Sequence, residues 1–192
     1  MRTTPRLAPL PPKEWPAAMR DALAALRPDA AGPPPPRQEG RPKGLNALGT
    51  FAHYPELTRA FYTFNGHVLF GSTISDRQRE LLVLRVAARR DAAYEWAQHV
   101  VLAGDAGLSS EEIERTRLGP DAPGWAPADA ALLRAADELL DGATVSDATW
   151  AALATELDTK QLMDVVFTVG AYDIVAMFFR TFGVELDDDL RK

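Results

Sequence analysis

The sequence predicts an all-α fold, built as a bundle of helices. No stretch after Gly44 alternates apolar and polar residues with the two-residue period of a half-buried strand. Signals that start and stop helices recur at short intervals along the same region. Of the 192 residues, 46% are apolar and 25% are charged, which is the balance of a soluble globular chain long enough to bury one sizeable core.

Local signals give the bounds of the predicted helices. Ser75 with Gln78 and Ser109 with Glu112 have the spacing of a capping box, in which each side chain accepts a hydrogen bond from the other residue's backbone N–H. Pro127 suits the first turn of a helix. Three glycines suit the position just after a helix: Gly107, Gly142 and Gly183. The predicted helices span residues 46–53, 56–70, 76–89, 92–106, 110–117, 127–141, 147–156 and 159–182.

The first 43 residues are predicted to form an arm outside the helical domain, which is expected to occupy residues 44–192. Eleven of the 15 prolines lie in this arm, four of them in the run Pro33–Pro36, and proline-rich sequence favours extended, hydrated backbone. One short helix is predicted near residues 14–26. Its apolar residues Trp15 and Met19 favour docking against the chain's own core or a neighbouring subunit. A mobile tail is the alternative.

The last predicted helix, residues 159–182, is apolar nearly all round, which is typical of a helix buried in a bundle or in a subunit interface. Asp164, Asp173 and Arg180 make it a poor membrane-spanning segment. Gly170 in its middle costs about 1 kcal/mol relative to alanine. We therefore expect another helix or a ligand to approach closely at that point, with helix packing the favoured interpretation.

Composition excludes several classes of function. A net charge of −6 and a pI near 5.1 argue against a nucleic-acid-binding surface and against adhesion to an anionic membrane. The absence of cysteine excludes disulfides, thiolate nucleophiles and thiolate zinc sites. No secretory h-region is visible near the start of the sequence, so we expect a cytoplasmic protein.

Two helices joined by a very short link around Arg90 and Asp91 carry the candidate chemistry. Helices joined in this way are antiparallel neighbours. Glu80 lies ten residues before position 90 and His99 nine residues after it, so at about 1.5 Å per residue they reach nearly the same height. Axes about 8–10 Å apart let facing side chains meet directly or through one water. Glu95 precedes His99 by one helical turn, so these two side chains also meet.

Glu80, Glu95 and His99 form a candidate general acid–base device. Burial among alanine and leucine raises the pKa of a carboxyl, and an imidazole exchanges protons near neutral pH. Glu95 and His99 can instead lie on a solvated helix face, and Glu80 can be the structural partner of a nearby arginine. The three could also ligate a metal, but a di-iron bundle needs Glu-x-x-His pairs from two helices, and only one histidine is suitably placed here.

At this point the sequence resembles a known family. The segments Arg79–Ala87 and Tyr94–His99 resemble the carboxymuconolactone decarboxylase family, which includes the alkylhydroperoxidase D-like proteins. The peroxidase branch of that family carries the motif E-x11-C-x2-C-x3-H. Its outer positions fall on Glu80 and His99, and its two cysteine positions fall on Ala92 and Glu95. The resemblance covers roughly residues 44–188, and its further segments lie at Trp125, Ala130–Leu133, Asp137–Leu139, Gly170–Tyr172 and Phe182–Leu186.

The resemblance to the cysteine-free branch implies an alkylhydroperoxidase D-like orthogonal helical bundle that forms a homo-oligomer, a trimer, hexamer or dimer. It implies a lyase-like enzyme without cofactor or metal, acting on a small organic acid, lactone or carbonyl compound by decarboxylation or isomerisation. Thiol peroxidase activity is not expected. The implied catalytic residues are His99, Glu95 and Glu80, and the candidate substrate contacts are Trp96, Tyr172 and His67.

Each of these assignments has a purely structural alternative. Core packing is the alternative for Trp96 and Tyr172, and a place on the helix surface is the alternative for His67. For the whole chain, the alternative function is a non-catalytic helical oligomer that serves as a binding or assembly module.

Overall fold

The computed structural model of the protein describes residues 4–27 and 42–191, and these residues include helices and no strand. The predicted all-α fold is confirmed. The α-helices are α1 (Met19–Ala25), α2 (Leu45–Phe51), α3 (Pro55–Gly66), α4 (Asp76–Arg89), α5 (Ala93–Asp105), α6 (Ser110–Leu118), α7 (Pro127–Gly142), α8 (Asp147–Leu153) and α9 (Thr159–Phe182).

Most helix ends follow the predicted signals. Both capping boxes form, one before α4 and one before α6, and Pro127 begins α7. Gly142 was expected after α7, but it is the last residue of that helix, and Ala143 takes the left-handed conformation with φ 55°. The predicted helix over residues 56–70 ends as an α-helix at Gly66 and continues as a π-helical stretch, His67–Gly71.

The chain divides into two compact units. The terminal unit comprises the described residues up to Ser72 together with those from Phe178 onward, and the central unit is Thr73–Met177. The predicted division into an arm over residues 1–43 and a domain over residues 44–192 stays a prediction. The proline run Pro33–Pro36 lies outside the described residues.

In the terminal unit, the first helix packs on a small apolar core. Met19 and Ala22 of α1 and Ala52, which follows α2, are fully buried there, with Trp15 packed against them. Leu10 donates a backbone hydrogen bond to Gly49 at 3.0 Å. A Cβ on that glycine would stand 2.4 Å from the Leu10 carbonyl oxygen, so the close approach depends on glycine.

In the central unit, α4 is the core element. Its residues Leu81–Leu84, Val86 and Ala87 are almost completely shielded from solvent, and α4 packs against α5, α6 and α7. The link to α5 is as short as predicted. Arg90 caps the carboxyl end of α4, Asp91 takes a positive φ of 50°, and Ala92 precedes the first residue of α5. This short link fixes α4 and α5 as neighbours.

Helix α9 is buried on one side only. It is long and apolar enough to cross a membrane by length and composition, but 56% of its most apolar window is buried inside the protein, as in a core helix of a soluble fold. Gly170 is exposed, and a Cβ added there would meet no atom within 4 Å. The expected close packing at Gly170 is therefore wrong for contacts within the chain. The expectation failed because the glycine lies on the outer face of the helix.

Candidate active site

The link between α4 and α5 brings Glu80 and His99 into contact. His99 Nδ1 lies 2.7 Å from Glu80 Oε2, so the proximity predicted from their equal height is confirmed. Glu80 is 0% exposed and His99 8% exposed. A hydrogen bond this short between buried groups fixes the orientation of the imidazole ring.

Arg79 contacts the second oxygen of Glu80. Its Nε donates to Glu80 Oε1 at 3.3 Å, and its Nη1 donates to the exposed Asp76 at 2.7 Å. Glu80 therefore has an arginine partner, as the structural interpretation expected, and a histidine partner as well. A carboxylate at Nδ1 favours the tautomer with the proton on Nδ1, which leaves the lone pair on Nε2.

Glu95 differs from Glu80 in having no hydrogen-bond partner among the described residues. It stands in the first turn of α5 and is 1% exposed, and neither of its oxygens accepts a hydrogen bond from any described residue. Burial, together with the negative charge of Asp173, raises the pKa of Glu95 well above its ordinary value. At neutral pH this favours the protonated carboxylic acid, which can donate a proton.

Tyr172, on α9, contacts the imidazole of His99. Its ring meets the His99 ring edge to face, with centroids 4.9 Å apart. The side chain is buried, and burial raises the pKa of its phenol above the ordinary value. The phenol is therefore neutral at physiological pH, and its ring forms a wall beside the imidazole. Glu80, Glu95 and His99, with Tyr172 beside them, are here called the candidate site.

The other two candidate substrate contacts have different surroundings. Trp96 is buried on α5, and the guanidinium of Arg117 lies 3.5 Å from the centre of its ring, so packing onto α6 accounts for its position. His67 is exposed in the π-helical stretch of the terminal unit. A substrate contact by either residue stays a prediction.

Sequence reasoning missed the role of Asp173. Its two oxygens accept from Arg90 at 2.6 and 3.0 Å, and its charge adds to the burial that raises the pKa of Glu95. The available signal was a carboxylate next to Tyr172 in an otherwise apolar helix. In the sequence alone, that charge argues only against a membrane-spanning segment.

The candidate site is enclosed by protein. A cavity of about 530 Å³ in the central unit is lined by Arg85, Arg134 and Asp137 among others, and by none of the site's four residues. His99 is 8% exposed, which is more than Glu80 or Glu95. Over residues 4–27 and 42–191, no cluster of three or more His, Asp or Glu side chains is arranged to hold a metal ion.

Part of the chain matches the model of a known protein family. Residues 55–138 match the model of the carboxymuconolactone decarboxylase family. No curated protein sequence matches the chain.

Several solved structures share the fold. The AhpD core of an uncharacterized peroxidase-related protein from Ralstonia eutropha JMP134 is 18% identical, with a TM-score of 0.76 over 99% of this chain and 96% of that one. A putative antioxidant defence protein AhpD from Agrobacterium tumefaciens is 19% identical, with a TM-score of 0.67 over 71% of this chain and 94% of that one.

A third similar structure is the debrominase Bmp8 in complex with 2,3,4-tribromopyrrole. It is 13% identical, with a TM-score of 0.73 over 100% of this chain and 96% of that one. These identities are low, so the three structures establish the fold and leave the chemistry of the site to its own residues. The match to the carboxymuconolactone decarboxylase family model covers residues 55–138, and the chain has the all-helical fold of AhpD-like proteins with no cysteine among its 192 residues.

Proposed function

We propose that this protein is a cofactor-free acid–base enzyme that decarboxylates or isomerises a small organic acid, lactone or carbonyl compound. The observation that carries the proposal is the pairing of His99 with Glu80 at 2.7 Å beside a buried Glu95 that no described residue hydrogen-bonds. The family match over residues 55–138 supports the same class of reaction.

The unpaired Glu95 argues for chemistry rather than packing. Burying a carboxyl without a hydrogen-bond partner costs about 1–3 kcal/mol, and buried side-chain polar atoms are mostly paired in folded proteins. An isosteric apolar residue would avoid this cost. Such a group is expected where a substrate supplies the missing acceptor.

The three side chains suit a proton-relay mechanism. Glu80 orients the imidazole, and the His99 Nε2 lone pair takes a proton from the substrate or returns one to it. In decarboxylation, the bond between the substrate's carboxylate carbon and its neighbour breaks, and carbon dioxide leaves. The electron pair passes into the substrate's own conjugated carbonyl as an enolate. Glu95 then donates its proton to the enolate carbon. The resulting Glu95 carboxylate regains a proton from solvent, which the Nε2 lone pair of His99 accepts and passes on. Isomerisation uses the same proton transfers without loss of carbon dioxide.

Thiol chemistry is not part of the proposal. The two positions at which the peroxidase branch has cysteines are Ala92 and Glu95 in this chain. Disulfide exchange needs two thiols, so the AhpD-like fold serves a different reaction here.

A substrate screen with matched variants tests the proposal. A panel of lactones and β-keto acids is incubated with the full chain, and release of carbon dioxide or rearrangement is followed by NMR. His99→Ala and Glu95→Gln are expected to lower turnover about a hundredfold or more, since general acid–base groups contribute about 10²–10⁴. The exposed Glu156→Gln is the control for the same chemical change and keeps wild-type turnover.

Two outcomes would overturn the proposal. One is near-normal turnover in both site variants with unchanged melting temperatures. The other is no turnover of any panel compound by the wild-type chain, which would favour a non-catalytic binding or assembly module. The exposed apolar face of α9 is the feature that favours this second candidate.

A further inference from the structure

Helix α9 buries a hydroxyl close to the candidate site. Thr168 is 1% exposed, and its hydroxyl oxygen has no hydrogen-bond partner among the described residues. It stands four residues before Tyr172, so the two side chains lie on the same face of α9. The ring of Tyr172 contacts the imidazole of His99. Thr168 therefore lies one helical turn, about 5.4 Å along the helix, from the residue that forms a wall of the candidate site.

The hydroxyl of Thr168 differs from those of other helical threonines in this chain. Thr50, Thr58 and Thr63 each donate to the backbone carbonyl four residues earlier, at 2.8, 3.0 and 2.9 Å. Inside a helix, a threonine hydroxyl ordinarily forms this bond or points to solvent. Thr168 does neither, because it is buried and its hydroxyl bonds no described carbonyl. The hydroxyl is therefore available to a group that the chain itself does not supply.

The other buried group of this kind in the central unit is Glu95. Within Thr73–Met177, all of which the structure describes, the buried side-chain oxygens without a partner belong to Glu95 and Thr168. Burial first, and the charges of Glu80 and Glu95 after it, raise the pKa of Tyr172, so both carboxyls lie near the phenol. The two unpaired groups therefore flank Tyr172. Burial without a partner costs free energy, so both positions fit a site that a ligand completes.

We propose that the Thr168 hydroxyl donates a hydrogen bond to a carbonyl oxygen of the substrate. A carbonyl is the acceptor that the proposed substrates share, and it has lone pairs but no proton to donate. The inference rests on the proposed function, because decarboxylation places the negative charge of the enolate on this oxygen. A donor fixed at that point stabilises the charge as it develops. The substrate class is thereby narrowed to keto acids and lactones.

A matched pair of acids tests the hydrogen bond without relying on turnover. Levulinate is a keto acid, and 4-methylpent-4-enoate has the same skeleton with a methylene group in place of the keto oxygen. In calorimetric titration, the wild-type chain is expected to bind levulinate about fivefold more tightly, since only the keto oxygen accepts a hydrogen bond. Thr168→Val keeps nearly the same shape without the hydroxyl and should lose this preference. Thr168→Ser retains the hydroxyl and should retain the preference.

Thermal stability distinguishes a substrate contact from a packing role. Thr168→Val should melt no lower than the wild type, because it removes a buried hydroxyl that has no partner. The matched control is Thr58→Val. Thr58 is also 1% exposed, but its hydroxyl donates to the carbonyls of Phe51 and Tyr54 at 2.8 and 3.0 Å. The control should melt at a lower temperature and keep the wild-type preference for levulinate.

Turnover of a keto acid gives a further measurement. Thr168→Val should lower kcat about a hundredfold and change KM much less, because the hydrogen bond strengthens as the oxygen becomes charged. An unchanged kcat for a keto acid would contradict the proposed contact.

Three other results would also overturn the proposal. They are a wild-type chain with no preference for levulinate, including one that binds neither acid, a Thr168→Val variant that keeps the preference, and a Thr168→Val variant that melts well below the wild type. The last would show that the hydroxyl is paired within the fold. A preference that Thr168→Val removes, in a chain that turns over no compound, would support the carbonyl contact and overturn the proposed catalysis alone.

Discussion

Two buried polar clusters of the central unit, both built on α4, are satisfied to very different degrees. In the first, Arg85 donates to both oxygens of Asp137 at 2.7 and 2.8 Å, and to the carbonyls of Thr116 and Arg117 at 2.8 and 3.0 Å. In the candidate site, Glu80 is paired with His99 and Arg79, but Glu95 accepts no hydrogen bond from a described residue.

The difference distinguishes a cluster that stabilises the fold from a cluster suited to a chemical role. A buried charge with four hydrogen bonds holds helices together, here α4, α6 and α7. A buried carboxyl without a partner destabilises the fold, so its presence points to a ligand or a proton-transfer role. The two clusters should therefore respond in opposite ways to substitution: the Arg85 cluster should lose stability, and the candidate site should lose activity.

The largest expected effect is a fall in the free energy of unfolding when Arg85 is replaced. Among the described residues, Arg85→Met leaves Asp137 paired with Arg89, whose Nη1 lies 2.9 Å from Asp137 Oδ1. It also removes the donor from the carbonyls of Thr116 and Arg117 near the end of α6. Breaking a buried pair by removing one partner costs about 3–5 kcal/mol, and we expect the lower end of that range in urea unfolding.

An exposed arginine pair provides the control. Arg134 contacts Asp121 at 2.7 Å, with both side chains largely exposed, and such pairs contribute at most about 1 kcal/mol. Arg134→Met should therefore change the unfolding free energy little. Equal losses in the two variants would contradict the distinction between the clusters.

The second expected effect is on turnover, through the orientation of His99. Glu80→Gln keeps an oxygen acceptor near Nδ1 but removes the charge that fixes the tautomer, and we expect turnover to fall about a hundredfold. Nitrogen-15 NMR of His99 should show a mixture of tautomers in the variant and a single Nδ1-protonated form in the wild type. A variant with low turnover and an unchanged tautomer would show that Glu80 acts by some route other than positioning.

The two clusters also show which features of the fold and of the candidate site can be predicted from the sequence alone. Equal height along two joined helices predicted the contact between Glu80 and His99, because helix rise and a short link leave little freedom. Capping boxes predicted where α4 and α6 begin, because those signals are local.

What the sequence could not reveal depended on long-range packing. Asp173 lies 83 residues from Arg90, and only the fold brings the pair together. The outward direction of Gly170 depends on which face of an almost wholly apolar helix the core covers, and such a helix has no polar face to indicate it.

The third expected effect is on the pH dependence of stability. Burial first, and Asp173 second, raise the pKa of Glu95 in the folded chain, so the folded state keeps a proton that the unfolded state loses above about pH 4.3. Stability should therefore fall as pH rises from that value to the folded pKa and stay constant above it. The loss is about 1.4 kcal/mol for each unit between the two pKa values.

Glu95→Gln isolates this contribution, because glutamine has the shape of the protonated acid and does not titrate. The variant and the wild type should have similar unfolding free energies near pH 4. The variant should become relatively more stable towards pH 8, with both chains measured at one concentration. Parallel pH profiles for the two chains would mean that Glu95 is ionised in the fold and cannot be the proton donor.

The smallest expected effect comes from the edge of the candidate site. Asp173→Asn removes a negative charge that raises the pKa of Glu95, while burial, the larger cause, remains. The pKa of Glu95 should therefore fall in the variant but stay above its ordinary value. The limb of the pH–rate profile that needs a protonated Glu95 should move to lower pH, and carbon-13 NMR of the Glu95 carboxyl should show the same shift.

Glu138→Gln is a suitable control, since Glu138 is bound to Ser146 and Thr149 and is not among the groups that shift the Glu95 pKa. A shift of equal size in both variants would mean that net charge, rather than the neighbouring Asp173, sets the protonation of Glu95.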